Sequence, residues 1–240
     1  MDIIELLIIV LLSIFQSVFG IGLLLFGTPT FLLLGYNFLE VLNILLPISI
    51  TISLIQFFSS KAQNKKFKYN FNLYCLPFLI ISLYFIINNF NKINLEIYIA
   101  LIIIFFSVLS LNKKKITYLK NFTPIKQKIF LILLGIIHGL TNLGGSLLAI
   151  FSSTINAKDK NKTRYCIAYG YLIMGIFQIF SLYFFSSSHI KASNLLYIAL
   201  VFLIYFPTQK IFNNFKGEKF SNFLNIFALF YGVIILIKNI

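Results

Sequence analysis

Two stretches of polar and glycine residues interrupt apolar sequence, and they are the part of this chain best suited to binding a solute. The first is Gln16-Ser17-Val18-Phe19-Gly20-Ile21-Gly22 with Gly27-Thr28-Pro29 after it, and the second is His138-Gly139-Leu140-Thr141-Asn142-Leu143-Gly144-Gly145-Ser146. Each glycine weakens a helix by about 1 kcal/mol. A helix that restarts after such a break presents backbone N–H groups and a partial positive charge, which can bind an anion without a lysine. The alternative is close helix packing through small residues.

Polar side chains accompany both breaks at matching positions. Gln16 and His138 each precede a glycine break, and both can donate a hydrogen bond to an oxyanion. His138 is also a candidate to take up a proton near neutral pH, the alternative being a neutral imidazole bonded to a neighbouring carbonyl. Gln56 and Gln178 lie inside later apolar segments, where an amide either lines a pathway or holds helices together. The predicted substrate-binding residues are Gln16, Ser17, Gly20, Gly22, Thr28, Gln56, His138, Thr141, Asn142, Gly144, Gly145, Ser146 and Gln178.

The segments around these residues have the composition of a membrane protein. Of the 240 residues, 59% are hydrophobic and 11% are charged, against about 25% charged in a soluble domain. A helix needs about 20 apolar residues to cross the hydrocarbon layer. The apolar segments are 38–59, 71–87, 95–111, 163–185, 192–208 and 221–237, besides two longer interrupted blocks, 3–35 and 128–155. We therefore expect an all-α polytopic membrane protein.

The two interrupted blocks are in register when the chain is shifted by 122 residues. Gln16 then coincides with His138, and Gln56 with Gln178. The order of broken block, loop and three apolar segments is the same on both sides of residue 120. This order predicts two repeats, 1–120 and 121–240, that together form one transmembrane domain.

Loop charges predict how the repeats are oriented. If each broken block is a hairpin that enters and leaves on one face, 17 of the 20 lysine and arginine residues fall on the same side, in 61–68, 113–128, 158–164 and 210–219. Basic residues favour the cytoplasmic side. Each half then has a hairpin and three crossings, which inverts the second half relative to the first and puts both termini outside. Inverted repeats with broken helices are typical of secondary transporters.

Other conspicuous residues have two interpretations each. Arg164, the only arginine, either attracts anions or anchors the cytoplasmic end of a helix. Tyr165, Tyr169 and Tyr171 either contribute hydroxyls to a site or anchor helices at the membrane interface. Cys75 and Cys166 lie in apolar segments and are interpreted as small buried thiols, not as a disulfide or a metal site.

The chain resembles the sulfite exporter TauE/SafE family of membrane permeases. The resemblance lies in Phe19-Gly20-Ile21-Gly22 through Gly27-Thr28-Pro29, in Gly139 to Ser146, and in the length and two-repeat layout. Leu23, Leu24, Leu25 and Phe151 depart from the family pattern. The resemblance implies a transporter of small organosulfur anions and oxoanions in the cytoplasmic membrane, often linked to the proton gradient, so protons are the candidate coupling ion.

Other classes fit the residues less well. An enzyme would need converging catalytic groups, whereas Glu40, Glu96 and Asp159 lie at segment ends without metal-ligand spacing. The net charge of +14 resides in loops facing lipid headgroups, which does not favour nucleic acid. A scaffold would not require matched polar breaks, while a channel would use them equally well. We expect a transporter of a small anion with no cofactor and no metal, in contact with the lipid bilayer and of undetermined oligomeric state.

Overall fold

The computed structural model describes residues 3–89, 95–111, 123–156, 159–186 and 194–214, with three short helical pieces at 229–230, 233–234 and 236–237. All regular secondary structure in these residues is α-helical. The helices are α1 Ile3–Phe19, α2 Leu23–Leu33, α3 Phe38–Ser59, α4 Lys65–Tyr74, α5 Leu76–Asn89, α6 Leu95–Leu111, α7 Pro124–Thr141, α8 Gly145–Ile155, α9 Lys160–Phe185 and α10 Asn194–Asn214.

Side-chain caps mark where several of these helices begin. Asn37 and Glu40 form a capping box at the start of α3. Asn64 caps α4, and Thr123 caps α7 just before Pro124. Asp159 caps α9 by accepting hydrogen bonds from backbone N–H groups, and the N–H of Lys162 lowers the pKa of this carboxyl. These polar residues set the boundaries between apolar segments whose composition alone would not define an end.

Among the described residues, four segments are long and apolar enough to cross a membrane: Phe38–Ser59, Lys65–Asn89, Pro124–Thr141 and Lys160–Phe185. Large apolar side chains such as Phe58, Phe105 and Phe184 are exposed on the outside of the bundle, as a lipid-facing surface requires. The expected all-α polytopic architecture is confirmed. The predicted segment 71–87 begins earlier than expected, at Lys65, and 221–237 lies mostly outside the described residues.

Both interrupted blocks fold into unequal hairpins. Along the first, the rings of Phe15 in α1 and Phe26 in α2 lie 6.4 Å apart, and the hydroxyl of Tyr36 donates to Glu5 at the start of α1. Along the second, Phe130 in α7 stacks on Phe151 in α8. The short arms α2 and α8 have 11 residues each. They are therefore about 17 Å long, roughly half the hydrocarbon thickness.

The helix boundaries repeat at the offset seen in the sequence. Four boundaries of the first half recur 122 residues later: Phe19 and Thr141, Leu23 and Gly145, Leu33 and Ile155, Phe38 and Lys160. The long helices that follow the hairpins, α3 and α9, pack against each other. They run antiparallel, since Phe57 near the end of α3 stacks on Tyr165 near the start of α9. Inverted repeats require this direction, and the inversion of the complete halves stays a prediction.

Pro47 inside α3 leaves one backbone carbonyl of that helix without its usual hydrogen bond, and α10 supplies a donor for it. A proline has no N–H to bond the carbonyl four residues earlier, here that of Asn43. The side-chain amide of Asn194 at the start of α10 donates to this carbonyl at 3.0 Å. A helix of the second half therefore completes the backbone hydrogen bonding of a helix in the first half.

The tightest helix contact joins α5 to α7 through two glycines spaced four residues apart. A Cβ added at Gly135 would overlap the carbonyl of Cys75, and one added at Gly139 would overlap Ser82 Oγ and the carbonyl of Leu79. Small residues at this spacing let two backbones approach closely in a membrane. At Gly139 the structure shows close packing of two helices.

We predict that Gly139→Ala lowers stability by about 1–3 kcal/mol, because backbone atoms of α5 would have to move to admit the methyl group. The measurement is the midpoint of thermal unfolding in detergent. The matched control is Gly27→Ala, whose new methyl would meet only methyl ends of Leu45 and Leu12. Equal shifts for the two variants would contradict the close packing of α5 on α7.

Candidate functional site

Each helix break is a short buried turn whose backbone conformation suits particular residues. Between α1 and α2, Gly20 has a φ of 77° and Gly22 a φ of 131°. These angles favour glycine because a Cβ would be strained there. Between α7 and α8, Asn142 has a φ of 62°, in the left-handed region that asparagine tolerates. Asn142 lies 122 residues after Gly20, so both turns have a residue of positive φ at this position, whereas Gly144, 122 residues after Gly22, has a φ of −63°.

The first break is held by side chains from α3. The amide nitrogen of Gln56 donates to the carbonyls of Gln16 at 2.9 Å and Ser17 at 3.1 Å. The amide of Gln16 in turn bonds Ser49 and Ser53. These five residues are all buried. In an apolar surrounding, these bonds supply the partners that the broken helix has lost.

Arg164 of α9 also binds the end of α1. Its Nη2 donates to the Ser17 carbonyl and to Oε1 of Gln209, both at 2.8 Å. Its guanidinium carbon lies 3.9 Å from the ring centre of Phe212. The carbonyl end of a helix carries a partial negative charge, which a cation stabilises. The sequence analysis did not find this contact, because the two residues are 147 positions apart.

The second break is held by a chain of hydrogen bonds with a fixed direction. The backbone N–H of Gly144 donates to Nδ1 of His138 at 3.0 Å. Because Nδ1 accepts, the proton of the neutral imidazole is on Nε2, which donates to Oε1 of Gln178 at 3.2 Å. Gln178 then donates to Oδ1 of Asn142. His138 therefore adopts the neutral form, and protonating it would displace the Gly144 N–H.

This chain continues into the first half of the protein. Nδ2 of Asn142 donates to Oγ1 of Thr28 in α2 at 3.0 Å. Thr28 and Asn142 are both fully buried. The break of one hairpin is thus bonded directly to the short arm of the other, which brings predicted site residues from both halves together.

The remaining predicted residues lie in the same turns. Thr141 donates to the carbonyl of Ile137 and accepts from the N–H of Leu143. Ser146, the one predicted residue that is only partly buried, contacts the carbonyl of Leu143. Gly144 precedes α8 without a side-chain cap, as Gly22 does before α2.

The three tyrosines of α9 differ in their surroundings. Tyr165 stacks on Phe57, and the hydroxyl of Tyr169 donates to Asn72, near the same end of the bundle. Lys68 lies over the rings of Phe57, Tyr165 and Tyr169. Tyr171 is almost completely buried, and its hydroxyl lies against Gly145 at the start of α8. Of the three, only Tyr171 reaches a helix break.

Metal and thiol chemistry find no support in the described part of the chain. No group of three His, Cys, Asp or Glu residues there is placed to hold a metal ion. Cys75 and Cys166 are buried free thiols, as interpreted from the sequence. The chemistry of these turns is therefore that of amides, hydroxyls, one neutral imidazole and one guanidinium.

A bundle of apolar helices with two buried, polar hairpin breaks defines a multi-pass membrane protein of the permease type. The sulfite exporter TauE/SafE family matches residues 5–235, and the chain belongs to this family of membrane transporters. The resemblance found in the glycine-rich breaks is thus confirmed despite the departures at 23–25 and Phe151. No curated protein and no solved structure matches the chain.

We predict that Arg164→Lys lowers the midpoint of thermal unfolding in detergent nearly as much as Arg164→Ala does. An ammonium cannot reproduce the two Nη2 hydrogen bonds together with stacking on Phe212, and hydrogen bonds to charged groups contribute about 1.5–3 kcal/mol. Lys162→Ala, which removes an exposed cation from the same helix end, is the control. Full retention of stability in Arg164→Lys would favour the alternative, a general cytoplasmic anchor.

Proposed function

We propose that this protein is a secondary transporter that moves a small anion, a sulfur-containing oxoanion or organosulfonate, across the cytoplasmic membrane by alternating access. The observation that carries the proposal is the pair of buried helix breaks, each bonded to a glutamine 40 residues further along the chain: Gln56 to Gln16 and Gln178 to His138. Helix breaks in hydrocarbon are tolerated only where the freed backbone is buried in protein or lines a wet cavity, and broken helices near the midplane are typical of the solute sites of secondary transporters.

The two short arms supply the anion-binding groups. α2 and α8 begin at glycines, Gly22 and Gly144, that offer no side-chain cap. The first N–H groups of a helix have no intrahelical partners, and they carry the positive end of the helix dipole. The Thr28–Asn142 hydrogen bond keeps α2 next to the second break. An anion bound at these turns would be in contact with both hairpins.

If the two halves are inverted, the site between them can open to one side of the membrane and then to the other. The antiparallel packing of α3 and α9 and the 17 basic residues predicted on one side support this arrangement, with both termini outside. The family resemblance implies a link to the proton gradient, so protons remain the candidate coupling ion. The neutral tautomer of His138 does not favour that residue as the proton carrier, since both of its ring nitrogens already have partners.

The proposal is tested with wild-type protein and Asn142→Gly. Glycine keeps the left-handed turn but removes the amide that bonds Gln178 and Thr28. We expect wild-type liposomes to show saturable uptake of sulfite or methanesulfonate, and we expect Asn142→Gly to bind the anion about tenfold or more weakly in calorimetry.

The control is Asn72→Ala, which removes an exposed amide of α4 that bonds Tyr169 and belongs to neither break. Absence of binding and flux for sulfite, sulfonates and other small organic anions in the wild-type protein would overturn the proposal. Flux that rises without saturation would indicate a channel instead.

Topology is tested by cysteine labelling in intact cells, with Cys75 and Cys166 replaced by alanine. Lys61→Cys and Lys160→Cys are exposed positions that we expect to react only after the membrane is permeabilised. Lys92→Cys is expected to react from outside. Labelling of Lys61→Cys and Lys160→Cys from opposite faces would contradict the inverted arrangement.

A further inference from the structure

Tyr171 has a buried hydroxyl for which the described residues provide no hydrogen-bond partner. Its side chain is 1% exposed, and Oη is among the buried polar atoms without a bond. Leaving a buried hydroxyl unbonded costs stability, so a packing role alone would be served better by phenylalanine. The ring makes an edge contact with His138, at 6.2 Å between centres, which holds it at the second break.

The hydroxyl is aimed at the first turn of α8. A Cβ built on Gly145, the first residue of that helix, would overlap Tyr171 Oη, so the close approach depends on glycine at this position. The N-cap Gly144 has no side chain to satisfy the N–H groups of this turn. A helix of 11 residues thus begins with free backbone donors beside a second, side-chain donor that is also free.

The equivalent place in the first half is already occupied. The residue 122 positions before Tyr171 is Ser49, whose hydroxyl bonds the amide of Gln16. The hydroxyl at this repeat position is therefore engaged by Gln16 in the first half, whereas no described residue bonds the hydroxyl of Tyr171 in the second. At the first break the buried polar atoms without a bond among the described residues include Ser17 Oγ and Gln56 Oε1, and neither of them is at this position.

We infer that the Tyr171 hydroxyl and the first N–H groups of α8 form the anion-binding subsite of the protein, and that it takes a monoanionic oxoanion such as an alkylsulfonate. This inference rests on the proposed function and assigns it a residue. The donors at the subsite are neutral, and the cost of burying an ion rises with the square of its charge, which favours a monoanion over a dianion.

The nearest described positive charge on the same helix face is Arg164. Arg164, Tyr171 and Gln178 are spaced seven residues apart, so they lie along one face of α9 at intervals of about 10.5 Å. Arg164 is bound to the end of α1, two helical turns before Tyr171 along α9. Its charge can attract an anion toward the break, while the hydroxyl of Tyr171 bonds it there.

The test compares methanesulfonate binding to wild-type protein, Tyr171→Phe and Gly145→Ala by calorimetry in detergent. We expect the affinity of Tyr171→Phe to fall about tenfold or more, because a hydrogen bond to a charged ligand is lost. The thermal midpoint of Tyr171→Phe without ligand should equal or exceed that of the wild-type protein. Gly145→Ala displaces the hydroxyl and should weaken binding as well.

The matched control is Tyr169→Phe, which removes a hydroxyl two residues before Tyr171 that is already bonded to Asn72. We expect its affinity for methanesulfonate to be unchanged, and we expect sulfate to bind the wild-type protein more weakly than methanesulfonate.

Equal affinity of Tyr171→Phe and wild-type protein would overturn the inference while leaving the proposed function in place. Tighter binding of sulfate would overturn the monoanion assignment, and failure of the wild-type protein to bind any small anion would overturn the proposed function as well.

Discussion

A backbone carbonyl or N–H group in hydrocarbon has to find its hydrogen bond within the protein, and the organisation of this bundle follows from that constraint. Unbroken helices meet it by themselves. The two hairpins cannot, so side chains bond their turns: Gln56 of α3 and Arg164 of α9 bond the end of α1, and His138 of α7 accepts from the turn before α8. The long helices α3 and α9 thus both pack the core and complete the broken backbone.

The two breaks satisfy the same need with different chemistry. At the first, carbonyl oxygens are bonded by an amide and a guanidinium, and the hydroxyl of Ser49 is taken up by Gln16. At the second, an imidazole and two amides form a chain of hydrogen bonds, and the hydroxyl of Tyr171 has no hydrogen-bond partner among the described residues. The two breaks share a residue of positive φ at Gly20 and Asn142 but differ in their side chains, so they need not share one role.

Much of this could be predicted from the sequence because hydrophobicity, glycine and internal repetition are local signals. The helix breaks and the segment 38–59 were predicted at their observed positions. The contact of Arg164 with Ser17 was not, because nothing local links residues 147 positions apart. The direction of the His138 chain required the position of the Gly144 N–H. Tyr171 was named with Tyr165 and Tyr169, and its seven-residue spacing from Arg164 and Gln178 is the signal that separates it from the other two.

The glycine contact between α5 and α7 limits how the bundle can change shape. Helices separated by side chains can slide, since rotamers exchange as one surface moves over another. Gly135 and Gly139 instead rest against backbone atoms of Cys75 and Leu79, where no rotamer is available to adjust. A helix from the first half and a helix from the second are therefore in direct backbone contact. For a protein that exposes its two faces alternately, as proposed, α5 and α7 would have to move together, so the two sequence repeats would not by themselves be the moving parts.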